Sequence, residues 1–193
     1  VAVDGQEVAL IALEDRLRAG AYELIESLKR QGARLTLLSG DRRQTAEAVA
    51  RQLGGMEVIA EVLPEDKDRT ISALQQLGHE VVMVGDGIND APALVRAAVG
   101  IALGSGTDVS IASADIVILG NDLKLIDQAA RLSQRTLRTV RQNIALSIGY
   151  NSIMVPLAML GLVTPLVAAI TMPLSSLLVI GNSARIATLF RRS

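Results

Sequence analysis

The sequence predicts an α/β fold: a doubly wound parallel sheet, followed by a stalk helix and a two-helix transmembrane hairpin. Between Arg34 and Leu119, short apolar runs alternate with helix-forming segments, which is the pattern of parallel sheets built from strand–helix–strand units. From Ile144 to Ala184, 41 consecutive residues carry no charged side chain. Because roughly 20 apolar residues suffice to cross a bilayer, this stretch predicts two spanning helices.

The chain opens with a predicted β-hairpin, in which Val1–Val3 and Val8–Leu13 flank an Asp4-Gly5 turn. The strands expected after it are Arg34–Leu38, Glu57–Ala60, Val81–Val84, Val99–Ala102 and Ile116–Leu119. The helices expected around them are Arg18–Gln31, Arg42–Leu53, Pro64–Leu77, Asn89–Ala97 and Thr107–Ala112. Three of these helices are followed directly by glycine and one begins with proline, as helix boundaries favour.

From Asp122 onward, apolar residues recur at three- and four-residue steps, which predicts one long stalk helix. Four arginines lie off that apolar stripe and are expected near anionic lipid headgroups: Arg131, Arg135, Arg138 and Arg141. The turn of the hairpin is expected at Gly161–Pro165. Because Arg185, Arg191 and Arg192 follow the uncharged stretch and arginines also precede it, the positive-inside rule predicts that both chain ends are cytoplasmic.

The composition narrows the classes of partner. The 19 basic and 20 acidic side chains nearly cancel, so we expect no nucleic-acid partner. No cysteine is present, which excludes disulfides and thiolate metal sites within this stretch. The chain does not begin with Met, so we expect a fragment of a longer polypeptide.

A glycine-rich loop follows one of the predicted strands and carries two carboxylates, Asp86 and Asp90. In an open α/β sheet such a loop lies at the carboxyl ends of the strands, where ligands bind. Two carboxylates there repel each other unless a cation is near, and hard oxygen ligands beside a phosphate suit Mg²⁺. The sequence therefore predicts a magnesium-binding loop rather than an ordinary surface turn.

Two further strand-to-helix junctions have phosphate-binding character. Ser39-Gly40-Asp41 offers a hydroxyl and backbone N–H groups where a helix begins, although a simple helix cap has the same sequence. Lys67 lies in the first turn of its helix, where the helix dipole disfavours a cation. A phosphate partner would explain this lysine, and an ordinary surface lysine is the alternative.

The order SGD, PEDK, GDGIND resembles the last three motifs of the phosphorylation domain of P-type ATPases, which are haloacid-dehalogenase-like phosphotransferases carried on membrane helices. The resemblance implies that Asp86 ligates Mg²⁺, that Asn89 and Asp90 shape the loop, and that Asp90 is a further magnesium ligand. It also implies that Lys67 neutralises charge on the transferred phosphoryl group. These four residues would be catalytic, with Mg²⁺ and ATP as cofactors.

The same resemblance gives roles to residues outside that loop. Ser39, Gly40 and Asp41 would grip the phosphate, and Asp15 would mark the hinge where the chain returns from the nucleotide domain. The family's nucleophile, the aspartate of a DKTGT motif, does not occur in this sequence. Because aspartyl-phosphate chemistry requires that carboxylate, we expect the chain to be the C-terminal part of a pump and inactive alone.

Polar residues in the predicted spans point to the transported ion. A helix advances by about 1.5 Å per residue. Counted inward from the cytoplasmic ends of the two spans, Asn151 and Ser176 are expected at a depth of about 10–12 Å, and Met172 near the membrane midplane. A thioether with neutral oxygens favours Cu(I) over Zn²⁺, although packing and interhelical contacts are the ordinary alternatives for such residues. YN in the first span and MxxSS in the second resemble the last two membrane helices of copper(I)-transporting P-type ATPases. That resemblance implies a Cu(I) site of Tyr150, Asn151, Met172 and Ser176, completed by a cysteine pair on a helix absent from this chain.

Together these features predict ATP-driven translocation of Cu(I) by a P-type ATPase. The expected division is 1–13 for the end of the nucleotide-binding domain or a return hairpin, 14–121 for the later phosphorylation domain, 122–143 for the stalk, 144–184 for the hairpin and 185–193 for the tail. The resemblance implies a bacterial inner membrane as the location. The implied partners are membrane lipid, a copper chaperone and the rest of the same polypeptide, namely its nucleotide domain, actuator domain and other transmembrane helices.

Three alternatives stay open. One is a P-type pump for another soft or transition metal. A second is a soluble haloacid-dehalogenase-like phosphatase, which shares Ser39, Lys67 and Asp86 but leaves the uncharged stretch unexplained. A third is a membrane-anchored phosphate-binding or regulatory module without catalysis, which fits the missing nucleophile.

Overall fold

The computed structural model describes residues 2–3, 6–7, 16–104, 106–120 and 122–187. The chain divides into two compact units, Val1–Asp127 and Gln128–Ser193. Asp15, the predicted hinge, and Arg191 and Arg192 of the predicted tail lie outside the described residues.

The first unit opens with the predicted hairpin. Strands β1 (Ala2–Val3) and β2 (Gln6–Glu7) pair antiparallel, with Val3 opposite Gln6. The second strand therefore includes two residues before the predicted Val8–Leu13, which itself falls outside the described residues.

Five parallel strands follow in two sheets. One sheet pairs β3 (Thr36–Leu38) with β4 (Glu57–Ile59). The other has the order β5 (Val82–Gly85), β6 (Val99–Leu103), β7 (Ile116–Ile118). The helices of this unit are α1 (Ala21–Arg30), α2 (Arg43–Gln52), α3 (Lys67–Gln76), α4 (Ala91–Arg96) and α5 (Asp108–Ala112). The predicted α/β class with parallel strands is confirmed.

Helix boundaries differ from the predicted ones where the backbone has a local reason. Helix α1 begins at Ala21 instead of Arg18 because Gly20 is left-handed, with φ of 80°. The predicted helix from Pro64 starts as a 3₁₀ turn, Pro64–Asp66, before α3. A 3₁₀ turn at Ile88–Asp90 likewise precedes α4. Both 3₁₀ turns lie at predicted site loops, where the first backbone N–H groups of a helix are available.

Two apolar clusters cover opposite sides of β6. Ala102 packs with Met83 of β5, Ile71 of α3 and Leu94 of α4. The neighbouring positions Ile101 and Leu103 pack on the other side, against the start of the chain's longest helix and against α1. Alternate residues of one strand thus enter different cores, as the two-residue period of a strand requires. These cores fix the carboxyl ends of β5 and β6, from which the site loops emerge.

The second unit is a helical pair. Helix α6 (Lys124–Met159) begins in the first unit and continues through the second as far as Met159, and α7 (Pro165–Ala184) follows a short turn. Thr164 caps α7 by accepting a hydrogen bond from the backbone N–H of Val167. Near the far end of the pair, Asn143 donates to Ser183 (2.9 Å) and Asn182 donates to Asn143 (2.9 Å).

Of the helices in the described residues, one is long and apolar enough to cross a membrane. This segment, Pro165–Ala187, has a mean hydropathy of 1.6, and no residue of its most apolar part is buried. Only the last part of helix α6, after Arg141, is free of charge, and its mean hydropathy is lowered by the polar residues Gln142, Asn143, Tyr150 and Asn151. The predicted long helix followed by an apolar helix is present, and spanning by α6 stays a prediction.

Candidate phosphate and magnesium site

The loop after β5 is folded around the Asp90 side chain. Asp90 Oδ2 lies 3.3 Å from the backbone nitrogens of both Asp86 and Gly87, which donate to it. A Cβ at Gly85 would lie 2.7 Å from the Asp90 Cβ, so only glycine admits this approach. The sequence run of glycines is therefore needed for packing around a carboxylate as well as for the turn.

A second segment supports the loop from the end of β6. The backbone N–H of Thr107 donates to the Asp86 carbonyl (3.2 Å). Ser110, with no exposed surface, donates its hydroxyl to the Gly87 carbonyl. At Gly106 a Cβ would lie 2.9 Å from the Asp86 carbonyl oxygen. The residues 106–110 thus hold the main chain of the loop in one position.

Lys67 and Asp90 form a largely buried ion pair. Lys67 Nζ lies 2.7 Å from Asp90 Oδ1, and the two side chains are 14% and 13% exposed. This pair supplies the reason for a lysine in the first turn of α3, since a carboxylate offsets the unfavourable helix dipole. The structure therefore brings Lys67 and the Asp86–Asp90 loop together, and their catalytic roles stay a prediction.

The Ser39–Asp41 loop is stabilised by its own hydrogen bonds. The Ser39 hydroxyl donates to Asp41 Oδ2 (2.8 Å) and accepts from the Asp41 backbone N–H (3.1 Å). The carbonyl of Asp41 accepts from the backbone N–H of Glu61, a residue held at a φ of 61°. A Cβ at Gly40 would lie 3.3 Å from the Val62 carbonyl oxygen. In the described part of the chain, no hydrogen bond joins this loop to Lys67 or to Asp86, whereas Lys67 and the Asp86–Asp90 loop are joined through Asp90.

Asp86 has a partner that the sequence analysis did not identify. The guanidinium of Arg18 forms an ion pair with Asp86 Oδ2, and the two side chains are 40% and 45% exposed. Arg18 stands 68 residues earlier in the chain, so no local pattern could have revealed the contact. A cationic group therefore lies where the predicted magnesium ligand presents its carboxylate.

The donor set fits Mg²⁺ held together with a phosphate. Among the described residues, no group of three His, Cys, Asp or Glu side chains could form an all-protein metal cage. Magnesium in phosphoryl-transfer sites is usually bound by one or two carboxylates plus substrate oxygens and water. Asp86, whose side chain is half-exposed, can supply one such carboxylate. Both oxygens of Asp90 have other partners, and Asn89 is exposed. The assignment of Asp90 as a magnesium ligand stays a prediction.

The predicted copper ligands lie in the second unit. Met172 and Ser176 are one helical turn apart on α7, where the Ser176 hydroxyl donates to the Met172 carbonyl (3.3 Å). Tyr150 is half-buried and donates to the hydroxyl of Thr171, directly before Met172. Asn151 is exposed, and no hydrogen bond in the described ranges links it to the other three. Sequence reasoning missed Thr171, whose position beside a predicted ligand was the available signal.

Comparison with known sequences identifies a protein family and several relatives that this chain resembles. The family of haloacid dehalogenase-like hydrolases matches residues 1–98. A copper-exporting P-type ATPase of Staphylococcus haemolyticus (strain JCSC1435) is 46% identical over 186 residues, which are 96% of this chain and 23% of that protein. A copper-exporting P-type ATPase of Staphylococcus aureus (strain JH9) is 47% identical over the same shares. The chain spans about a quarter of the length of these curated relatives.

Solved structures give a matching result. The crystal structure of a zinc-transporting PIB-type ATPase in the E2.Pi state aligns with a TM-score of 0.84 and 39% identity, over 90% of this chain and 28% of that one. The catalytic CPx-ATPase domain CopB-B aligns with a TM-score of 0.55 and 37% identity, over 65% of this chain and 52% of that one. The resemblance to heavy-metal P-type ATPases that the motifs predicted is confirmed.

Proposed function

This chain belongs to the haloacid dehalogenase-like hydrolase family, and we propose that within this family it is the C-terminal part of an ATP-driven copper(I) pump. The observation that carries the proposal is the likeness to copper-exporting ATPases over 96% of the chain, which extends through both compact units. A likeness confined to the first unit would fit a soluble phosphatase equally well.

In this proposal the first unit handles the phosphoryl group. Lys67 neutralises charge on the group being transferred, and Asp90 keeps that ammonium in place through their 2.7 Å contact. The Ser39 hydroxyl and the Asp41 backbone N–H exchange their mutual hydrogen bonds for bonds that they donate to phosphate oxygens. Asp86 would hold Mg²⁺, which when bound neutralises charge on the phosphate oxygens.

The nucleophile would come from a part of the polypeptide outside this chain. Strand β3 and strand β5 each lie at the end of their sheet, so each has an edge without a hydrogen-bonded neighbour among the described strands. On the face of β5 opposite Met83, Val82 and Val84 are 57% and 40% exposed, although strands of parallel sheets are normally covered on both faces. We assign both the open edges and the uncovered face to contacts with the rest of the polypeptide. A strand between β3 and β5 would carry its carboxyl end to the Ser39 and Asp86 loops.

In the second unit we propose that Cu(I) is the transported cation. The thioether of Met172 and the oxygens of Tyr150, Asn151 and Ser176 suit a soft monovalent ion, with further ligands from helices outside this chain. A pump for zinc or another transition metal is the second candidate, favoured by the close structural likeness to a zinc-transporting ATPase. Sequence identity is higher to the copper exporters, and between Ile144 and Ala184 there is no charged side chain. Both observations support copper.

The proposed setting is the bacterial inner membrane. The candidate membrane helix and the arginines on either side of the uncharged stretch support cytoplasmic placement of the first unit and of both chain ends. Membrane lipid, the rest of the polypeptide and a copper chaperone are the proposed partners.

Metal-stimulated ATP hydrolysis by the intact parent protein in lipid tests the proposal. We expect stimulation by Cu(I) and Ag(I), none by Zn²⁺ or Co²⁺, and no hydrolysis in the Asp86→Ala variant. Stimulation by Zn²⁺ or Co²⁺ alone would replace copper with the second candidate. No stimulation by any of these metals would contradict the pump assignment.

A further inference from the structure

A chain of two hydrogen bonds joins α6 to α7 beside a predicted copper ligand. The Tyr150 hydroxyl lies 3.2 Å from Thr171 Oγ1, and the Thr171 hydroxyl donates to the Val167 carbonyl of its own helix (2.9 Å). Because the Thr171 hydrogen is committed to that carbonyl, Tyr150 is the donor in the first bond. The phenol hydrogen therefore points to α7, and the lone pairs of the Tyr150 oxygen face other directions.

The position of this bond is fixed by a second contact region on the same two helices. Asn143, Asn182 and Ser183 are joined across the pair about two turns of α6 away from Tyr150, or roughly 10 Å at 1.5 Å per residue. Both contacts join the same antiparallel pair of helices, and their residue-number totals differ by four or five, a little more than one helical turn. The Tyr150–Thr171 bond is thus a regular part of the helix pairing.

Thr171 also stands beside the other predicted ligands. It directly precedes Met172, and the Met172 carbonyl accepts the hydroxyl of Ser176. One threonine therefore connects the tyrosine on α6 to the turn of α7 that bears the thioether. A phenol in apolar surroundings needs a hydrogen-bond partner, and without Thr171 it would turn toward another acceptor.

We propose that Thr171 is a positioning residue of the transported-ion site: it takes the hydrogen of Tyr150 and so directs the phenol oxygen lone pairs toward the cation beside Met172. This inference rests on the proposed copper function and adds a residue to that site. Thr171 acts through Tyr150 and does not itself bind the ion.

Variants of the intact parent protein, reconstituted in lipid, separate positioning from packing. Thr171→Val keeps the side-chain volume and removes the hydroxyl, whereas Thr171→Ser keeps the hydroxyl. We expect Thr171→Val to raise the KM for Cu(I) in ATP hydrolysis by about 2- to 10-fold, the equivalent of one hydrogen bond, with kcat nearly unchanged. Thr171→Ser should behave as the wild type.

A double-mutant cycle with Tyr150→Phe supplies a readout that a purely structural role would not give. If Thr171 acts through the phenol, Thr171→Val in the Tyr150→Phe background has no further effect on the KM for Cu(I). An unchanged KM in Thr171→Val, or additive effects in the double variant, would overturn the inference and leave the copper function intact. A wild-type protein that Cu(I) does not stimulate would overturn both.

Discussion

The two compact units differ in how they handle charge. All 20 acidic residues and 12 of the 19 basic residues lie in Val1–Asp127, whereas Gln128–Ser193 contains seven arginines and no acid. In the first unit, carboxylates and cations pair across the site, as Asp90 does with Lys67. In the second, neutral hydroxyls and amides bond to each other, as Tyr150 does with Thr171.

This difference follows from the solvent each unit is suited to. A site that binds phosphate and Mg²⁺ needs fixed charges and access to water, which the half-exposed Asp86 has. Charged side chains are costly in a helix that crosses hydrocarbon, so we expect selectivity for the transported ion to come from neutral donors and sulfur. The comparison predicts that variants in the first unit act through electrostatics and variants in the second through ligand geometry.

The largest effect is expected from breaking the Lys67–Asp90 pair. Lys67→Met leaves Asp90 as a mostly buried carboxylate without its cation, and breaking a buried pair in this way costs about 3–5 kcal/mol. We expect a lower unfolding temperature and loss of phosphoenzyme in the intact protein.

The double variant Lys67→Met with Asp90→Asn distinguishes folding from catalysis. It removes both charges, so the unfolding temperature should recover much of its value while phosphoenzyme formation stays absent. Recovery of phosphorylation together with stability would show that Lys67 has only a structural role.

A smaller effect is expected at the exposed Arg18–Asp86 pair. Arg18→Gln removes a cation that competes for the Asp86 carboxylate, so the Mg²⁺ concentration for half-maximal phosphorylation should fall. Exposed pairs contribute up to about 1 kcal/mol, which limits the shift to about fivefold. Arg34→Gln, at the exposed pair with Glu57, is the matched control and should leave the magnesium dependence unchanged. A higher magnesium requirement in Arg18→Gln would mean that Arg18 assists binding.

The smallest effect on phosphorylation is expected from Ser110→Ala, which acts on stability. The variant deletes the buried hydrogen bond to the Gly87 carbonyl and the bond shared with the Thr107 hydroxyl, each worth about 1 kcal/mol. The unfolding temperature should fall by about 2–8 °C. Ser72→Ala, at a half-buried position of α3, is the control and should change the unfolding temperature less. An unchanged unfolding temperature in Ser110→Ala would show that residues 106–110 do not stabilise the magnesium loop.

The features that the sequence predicts well are local. Apolar runs bounded by glycine and proline place each parallel strand of the first unit to within a few residues, since strand and turn signals lie within the same short window. The glycines around Asp86 indicate a tight loop for the same reason. Helix starts are less accurate where one residue decides them, as Gly20 does for α1.

Partners distant in sequence could not be predicted. Lys67 meets Asp90 across 23 positions and Arg18 meets Asp86 across 68, and both contacts depend on how the strands are ordered. The bond between Tyr150 and Thr171 depends on the register of two helices that the sequence pattern leaves free. Periodicity shows which face of an element is apolar, but not which residue of another element lies opposite.

The most direct test of the division between the two units is phosphoenzyme formation from two sources in the intact protein. Acid-stable phosphate should be measured after incubation with ATP plus Cu(I), and after incubation with inorganic phosphate without copper. We predict that Asp86→Asn abolishes both, with a loss above about 100-fold, whereas Met172→Ala loses the copper-dependent reaction with ATP and keeps the reaction with inorganic phosphate. Loss of both reactions in Met172→Ala, or normal phosphorylation in Asp86→Asn, would contradict the account.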